Sequence, residues 1–188
     1  MELMQAIKER RTVRRFKQIP LEKEKIIKLI DAGRRASCGG NMQRLRYIVV
    51  QETELLKGIF EQTAWGGHVQ PNRNPLFGEN SPMAFIVVTS PRGDAAIDAA
   101  AAIENIQLAA WEEGIGCCWI GAYKKDPVNE LLGLTGDMKS VFLVAIGYAD
   151  ECPISEDIEL EDDQRYYLDD NDRLHVPKYT VESITEWR

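Results

Sequence analysis

Arg10-Arg11-Thr12-Val13-Arg14-Arg15-Phe16 packs four guanidinium groups and a hydroxyl into seven residues. Each guanidinium is a planar fork of donors that can grip a phosphate bidentately, and Arg10 and Arg14 lie one turn apart if the segment is helical. The same residues equally suit a solvated basic face at a helix end, where the helix dipole favours cations. A second group is Ser37-Cys38-Gly39-Gly40-Asn41-Met42-Gln43. Its glycines would let the backbone approach a flat ligand, and Asn41 and Gln43 offer donors and acceptors to the edge of a heterocycle. An ordinary turn with local Asn hydrogen bonds is the competing reading. A third group, Gly114 to Tyr123 (GIGCCWIGAY), reads as a core strand whose glycines relieve packing, or as one whose Gly121 and Ala122 amides stand beside a ring. Cys117 and Cys118 have no histidine spaced to activate them and read as small hydrophobes. His68 sits in a long loop, within reach of a substrate or without a role. Lys178 is a surface lysine by default, or a late cation for the phosphate.

These groups need elements to position them. Leu3, Met4 and Ile7 predict a short helix before Arg10, and Ile26, Ile27, Leu29 and Ile30 a second one running from Ile19-Pro20 to Gly33. Leu45 to Val50 predicts a strand, and Thr53 the N-cap of a helix through about Gln62. Residues 64–82 show no periodicity and form a long loop of the functional or disordered kind. Met83–Thr89, Cys117–Ala122 and Val141–Tyr148 read as strands, the first and last apolar on both faces. The 94–113 helix between them is apolar almost all round and must be buried by its own domain or by a partner chain. A short helix is expected at Pro127–Leu132. A hairpin is expected from Tyr166–Leu168 to Arg173–Val176, and a last short helix capped by Thr180 and ending at Trp187. The sum is one α/β or α+β domain over residues 1–188, with a mixed central sheet.

Composition narrows the function. The chain is 44% hydrophobic and 28% charged, with no apolar run long enough to span a membrane and no N-terminal pattern of a cleaved signal. Its four cysteines form no CxxC pair, so neither a zinc site nor a disulfide framework is expected, and a reducing cytoplasm is. Residues 1–46 carry 13 Lys/Arg against 5 Asp/Glu, while the other 142 carry 10 against 25. An acidic protein with one basic segment suits a compact anion site rather than nucleic acid. Ten of the acidic residues lie in 151–172.

Taken in order, RRTVRRF at 10–16, NMQ at 41–43, DAAAAIENIQLAAWEEGIGCCWIGAY at 98–123 and AIGYAD at 145–150 resemble the nitroreductase family over almost the whole chain. The resemblance implies a three-layer α+β fold with a mixed central sheet flanked by helices, in an intertwined homodimer that binds FMN at each subunit interface. It implies that Arg10, Arg11, Thr12 and Arg14 contact the FMN phosphate, ribityl chain and pyrimidine edge. Cys38, Asn41 and Gln43 would reach the flavin from the partner chain. Trp119, Ile120, Gly121 and Ala122 would line it, the last two with backbone donors near N5 and O4. Lys178 would complete the phosphate grip, and the 94–113 helix would be the dimer core. The loop departs from the family's usual Pro-Ser-x-x-Asn-x-Gln-Pro-Trp. Cys38 stands where Ser is usual and Arg44-Leu45 replace Pro-Trp, which implies a less rigid loop and a looser grip.

The expected reaction is ping-pong hydride transfer from NADH or NADPH to a small electron-poor acceptor such as a nitroarene or quinone. The flavin supplies the chemistry, the protein supplies orientation, and no catalytic acid or base is required. Trp65, His68 and Phe77 are the expected acceptor contacts, in the 64–82 loop. Residues 151–178 read as an acidic C-terminal extension. The rivals are a reductive dehalogenase or flavin-fragmenting enzyme of the same superfamily, a non-catalytic flavin binder, and an anion- or RNA-binding module.

Overall fold

The computed structural model describes residues 2–69, 73–91 and 93–188. Gln70, Pro71 and Asn72, within the expected 64–82 loop, lie outside the described residues. Two sheets organise the chain. The larger contains β1 (Arg46–Val50), β2 (Ala84–Pro91), β3 (Ile115–Ile120) and β4 (Met138–Tyr148) in the order β1-β2-β4-β3. It is antiparallel throughout. The smaller contains β5 (Ile154–Ile158), β6 (Tyr167–Leu168) and β7 (Leu174–Tyr179) in the order β5-β7-β6. Here β5 runs parallel to β7 and β6 antiparallel to it, so the mixture expected of the central sheet is carried by this second sheet instead.

Helices cover both faces of the large sheet, which is why β2 and β4 are apolar on both sides. Ala84, Ile86 and Val88 face a cluster built with α2 (Lys23–Arg34) and α4 (Ala96–Glu112). Phe85 and Val87 face the opposite cluster, built with α3 (Thr53–Phe60), α5 (Lys125–Leu131), Val13 and Phe16. α1 (Leu3–Glu9) precedes the arginines as expected, and α6 (Val181–Ile184) starts at Thr180, whose hydroxyl accepts from the Ser183 N–H. One cap differs: α3 is capped by Glu52 rather than Thr53, the carboxylate accepting from the N–H groups of Glu54 and Leu55. A carboxylate serves there as a hydroxyl would, with the helix dipole in its favour.

α4 buries one side, Ala99, Ala102, Ile103, Ile106 and Ala110, while Ile97 remains 88% exposed. Gly33 lets α2 approach closely, since a Cβ there would stand 2.8 Å from Ile106 Cγ1. Gly33 therefore lies inside its helix as a packing contact and does not mark its stop.

Candidate functional site

The arginine segment leaves α1 at Glu9 and runs extended across the large sheet. Arg10 and Arg14 are therefore not one helical turn apart. What seats the segment is a pair of glycines. Gly116 of β3 and Gly147 of β4 are directly opposite in the ladder. A Cβ on Gly116 would stand 2.7 Å from Val13 Cγ1, and one on Gly147 would stand 3.0 Å from Phe16 Cβ. Val13 and Phe16 fill that missing volume and are fully buried. The Val13 N–H donates to the Cys117 carbonyl at 2.9 Å and the Lys17 N–H to the Tyr148 carbonyl at 2.8 Å. The arginines are carried over the sheet on a rigid bed.

The guanidinium groups meet the C-terminal segment. Arg11, 7% exposed, donates to the Ser155 hydroxyl. Burial lowers its pKa, as does neighbouring Arg10, while Asp157 opposes them. Arg10 Nε lies 3.5 Å from the Glu104 carboxylate of α4. The Arg14 guanidinium lies 4.7 Å above the Tyr166 ring centroid, a cation–π contact, and packs against Gly66. Arg15 lies 3.7 Å from Asp172. A fifth arginine, Arg73, is 4% exposed and joins Glu151 at 3.6 Å and Asp172 at 3.5 Å. Glu151 also accepts from the backbone N–H groups of Arg14 and Arg15. Among the described residues, the buried Nε–H groups of Arg11 and Arg73 have no hydrogen-bond acceptor. A cluster of this kind, with unspent donors, fits a multivalent oxyanion.

Arg73, Glu151, Ser155, Tyr166 and Asp172 were not among the expected site residues. Their pairings to the arginines span 99 to 144 residues of chain, except Tyr166 on Arg14 and the Arg73–Glu151 and Arg15–Asp172 pairs, which are also long-range. The one available signal was the density of acidic residues after position 150.

The remaining expected residues divide. The loop Ser37–Gln43 forms a 3-10 turn at Gly39–Asn41. It is pinned by the Gly39 N–H donating to the buried Asp98 carboxylate of α4 at 3.2 Å. Asn41 and Gln43 are exposed and adopt positive φ of 52° and 48°, a conformation that asparagine tolerates and glutamine adopts at a cost. Cys38 is half-buried and lines, with Gln43, Arg44, Tyr47 and Asp98, a cavity of about 120 Å³. Among the described residues, no hydrogen bond or ion pair joins this loop to the arginines.

Trp119 is half-buried edge-on to Phe142 at 5.0 Å, and Ile120 is 3% exposed in the core. Both side chains pack against neighbours, Ile120 completely and Trp119 in part. Gly121 and Ala122 follow β3 and are exposed, and the Ala122 carbonyl accepts from the Ala64 N–H. Trp65 is 7% exposed in the core, its indole N–H donating to Thr63 at 2.7 Å, so it does not line an open pocket. Phe77 packs its ring 5.5 Å from Phe60. Exposed His68 does reach the arginine side, with its ring 4.8 Å from that of Tyr166. Thr12 is half-buried within the extended segment. Lys178 is exposed on β7, in register with Asp157 of β5. Burial pushes the thiol of Cys117 far up and that of Cys118 up to about 11, which makes both unreactive core residues, as expected.

The nitroreductase family model matches residues 7–148, from within α1 to the end of β4. A relative in Archaeoglobus fulgidus, provisionally named NADH dehydrogenase/NAD(P)H nitroreductase, is 30% identical over 95% of this chain and 99% of its own. The crystal structure of a nitroreductase family protein from Clostridium novyi NT superposes with a TM-score of 0.70 at 27% identity, covering 80% of this chain and 86% of that one. An FMN-dependent nitroreductase from Clostridium difficile R20291 matches with a TM-score of 0.66, also at 27% identity, over 79% of this chain and 88% of that one. Glycine bed, arginine segment and buried α4 all fall inside the matched region, and the chain belongs to the nitroreductase family.

Proposed function

We propose that this chain is an FMN-dependent oxidoreductase that uses NADH or NADPH to reduce electron-poor small molecules of the nitroaromatic or quinone class. The observation that carries this reading is the gathering of Arg10, Arg11, Arg14, Arg15 and Arg73 at one end of the large sheet, where among the described residues the buried Nε–H donors of Arg11 and Arg73 are unspent. Relatives named for NAD(P)H and for FMN support it. When bound, FMN supplies the two-electron exchange between nicotinamide and acceptor.

The protein's part is to hold and orient. Arg10, Arg11, Thr12 and Arg14 would grip the phosphate and ribityl end, and the extended backbone fixes their spacing along the sheet. Exposed Gly121 and Ala122 would present backbone donors to the ring edge, where such donors stabilise developing negative charge. Cys38, Asn41 and Gln43 would complete the site from a second copy, with Lys178 as a late cation for the phosphate. The exposed apolar side chains of Leu3, Met4, Ile7 and Ile97 support a homodimer. Reductant and acceptor would alternate in one pocket, in ping-pong order, with His68 at its rim. The free thiols suit a reducing cytoplasm, and no helix among the described residues is long and apolar enough to cross a membrane.

Purified protein should bind FMN, and the bound flavin should bleach when NADH or NADPH is added without oxygen. Arg14→Glu should weaken FMN binding by about a hundredfold, the scale of one lost charge-assisted pair and one added repulsion. A colourless protein that FMN does not reconstitute would end the reading. Flavin that binds but never bleaches would point to a non-catalytic carrier.

A further inference from the structure

We propose that the acidic C-terminal segment, residues 151–172, is an internal counter-anion that occupies the arginine cluster and is displaced when the flavin phosphate binds. This rests on the reading that the cluster takes that phosphate. Glu151 is the centre of the contact. Its side chain is 4% exposed, and Oε1 accepts from the consecutive backbone N–H groups of Arg14 and Arg15. Two adjacent amides converging on one oxygen, with a guanidinium alongside, form the kind of nest that binds phosphate oxygens. Ser155 takes the donor of Arg11, Asp172 reaches both Arg15 and Arg73, and Tyr166 lies under Arg14. The carboxylate and hydroxyl contacts are of a type that a phosphate or its ribityl neighbour would make, while Tyr166 covers the face of Arg14.

The segment fills the nest incompletely. Among the described residues, Glu151 Oε2, ion-paired with Arg73 at 3.6 Å, and the Nε–H groups of Arg11 and Arg73 find no hydrogen-bond partner. A carboxylate brings one charge and two oxygens, whereas a phosphomonoester brings up to two charges and three oxygens. The phosphate is thus the better occupant, and the segment lowers its apparent affinity by the fraction of molecules in which the nest is closed. The segment is also separable from the core. It lies outside the large sheet, and β6, which it contains, is two residues long.

The test titrates the flavin-free full chain with FMN and with riboflavin, which lacks the phosphate, following flavin fluorescence. Glu151→Gln keeps an acceptor for the two amides but removes the charge. Asp172→Asn is a second variant at an exposed position with φ of 58°, which asparagine tolerates. FMN should bind about tenfold more tightly to either variant, the scale of one removed charge at this range, with riboflavin unchanged. In the unaltered protein, amide exchange across 151–158 and 166–172 should rise when FMN is added. Unchanged or weaker FMN binding in both variants, or exchange that falls on adding FMN, overturns the proposal. If Arg14→Glu abolishes FMN binding while the two tail variants do nothing, only the counter-anion idea fails. If FMN binds none of these proteins, the reading of the cluster fails and takes this proposal with it.

Discussion

In the large sheet Phe85, Ile86, Val87 and Val88 of β2 are all fully buried, whereas in the small sheet Leu174 and Pro177 are the buried residues of β7 and the rest are half-buried or exposed. The small sheet is fastened by polar contacts instead. His175 sits between Glu156 at 3.1 Å and Asp169 at 3.3 Å, with the Tyr167 ring stacked on it, and Glu151 and Asp172 tie the segment to the arginines. Apolar burial scarcely responds to ionic strength or ligands, while ion pairs at a partly wet surface respond to both. One region therefore sets the frame, and the other is free to answer to what binds.

The largest expected effect separates the two. Phe85→Ala, which opens a cavity between the sheet and α3, should cost about 3–5 kcal/mol and lower the thermal midpoint by about 10 °C. Leu174→Ala should leave that transition within about 1 kcal/mol while speeding proteolysis in 159–165. A loss of equal size in both would show that the regions unfold as one.

Next comes the seam. Gly116→Ala, whose Cβ would collide with Val13, should destabilise by about 1–3 kcal/mol and weaken ligand binding at the arginines. Pairing it with Val13→Ala should cost less than the sum of the single changes.

The core should also answer to alkali. Unfolded, the Cys118 thiol ionises near its ordinary 9.0, but folded it keeps its proton to about 11. Its stabilising effect is complete below the lower value and is lost as the pH climbs towards the upper. The unfolding free energy from urea titrations should fall by about 1 kcal/mol at about pH 10, and Cys118→Ala should reduce that slope. Smallest of all, raising NaCl from about 0.05 to about 0.5 M should speed tryptic cleavage at exposed Arg165 by roughly two- to threefold without moving the core transition.

The same contrast explains what could be read from residues alone. β2, β4 and α4 announce themselves because apolar runs and periodicity are local properties of the chain. β5 did not, since Ile154-Ser155-Glu156-Asp157-Ile158 carries two adjacent acidic residues and pairs with β7 about twenty residues away. Arg10, Arg11 and Arg14 were legible as an anion group, but their extended backbone was not, because it depends on two glycines, Gly116 and Gly147, far downstream. Trp65 looked like a pocket residue because its loop lacks periodicity, yet Thr63 gives its indole N–H a partner and Phe60 gives its ring one, and it folds inward. Glu151 was legible only as one of many acidic residues after position 150, and Arg73 only as part of an aperiodic loop.

The paired glycines have one more effect. Val13 and Phe16 drop into two adjacent vacancies on neighbouring strands, so the segment can lie on the sheet in only one position along its length. Sliding it by a single residue would set Arg14 where Val13 belongs and turn charge into the core. The placement of the arginines is thus quantised, and drift in steps smaller than a residue is resisted by two side chains at once. Two absent methyl groups act as the indexing notches of the site.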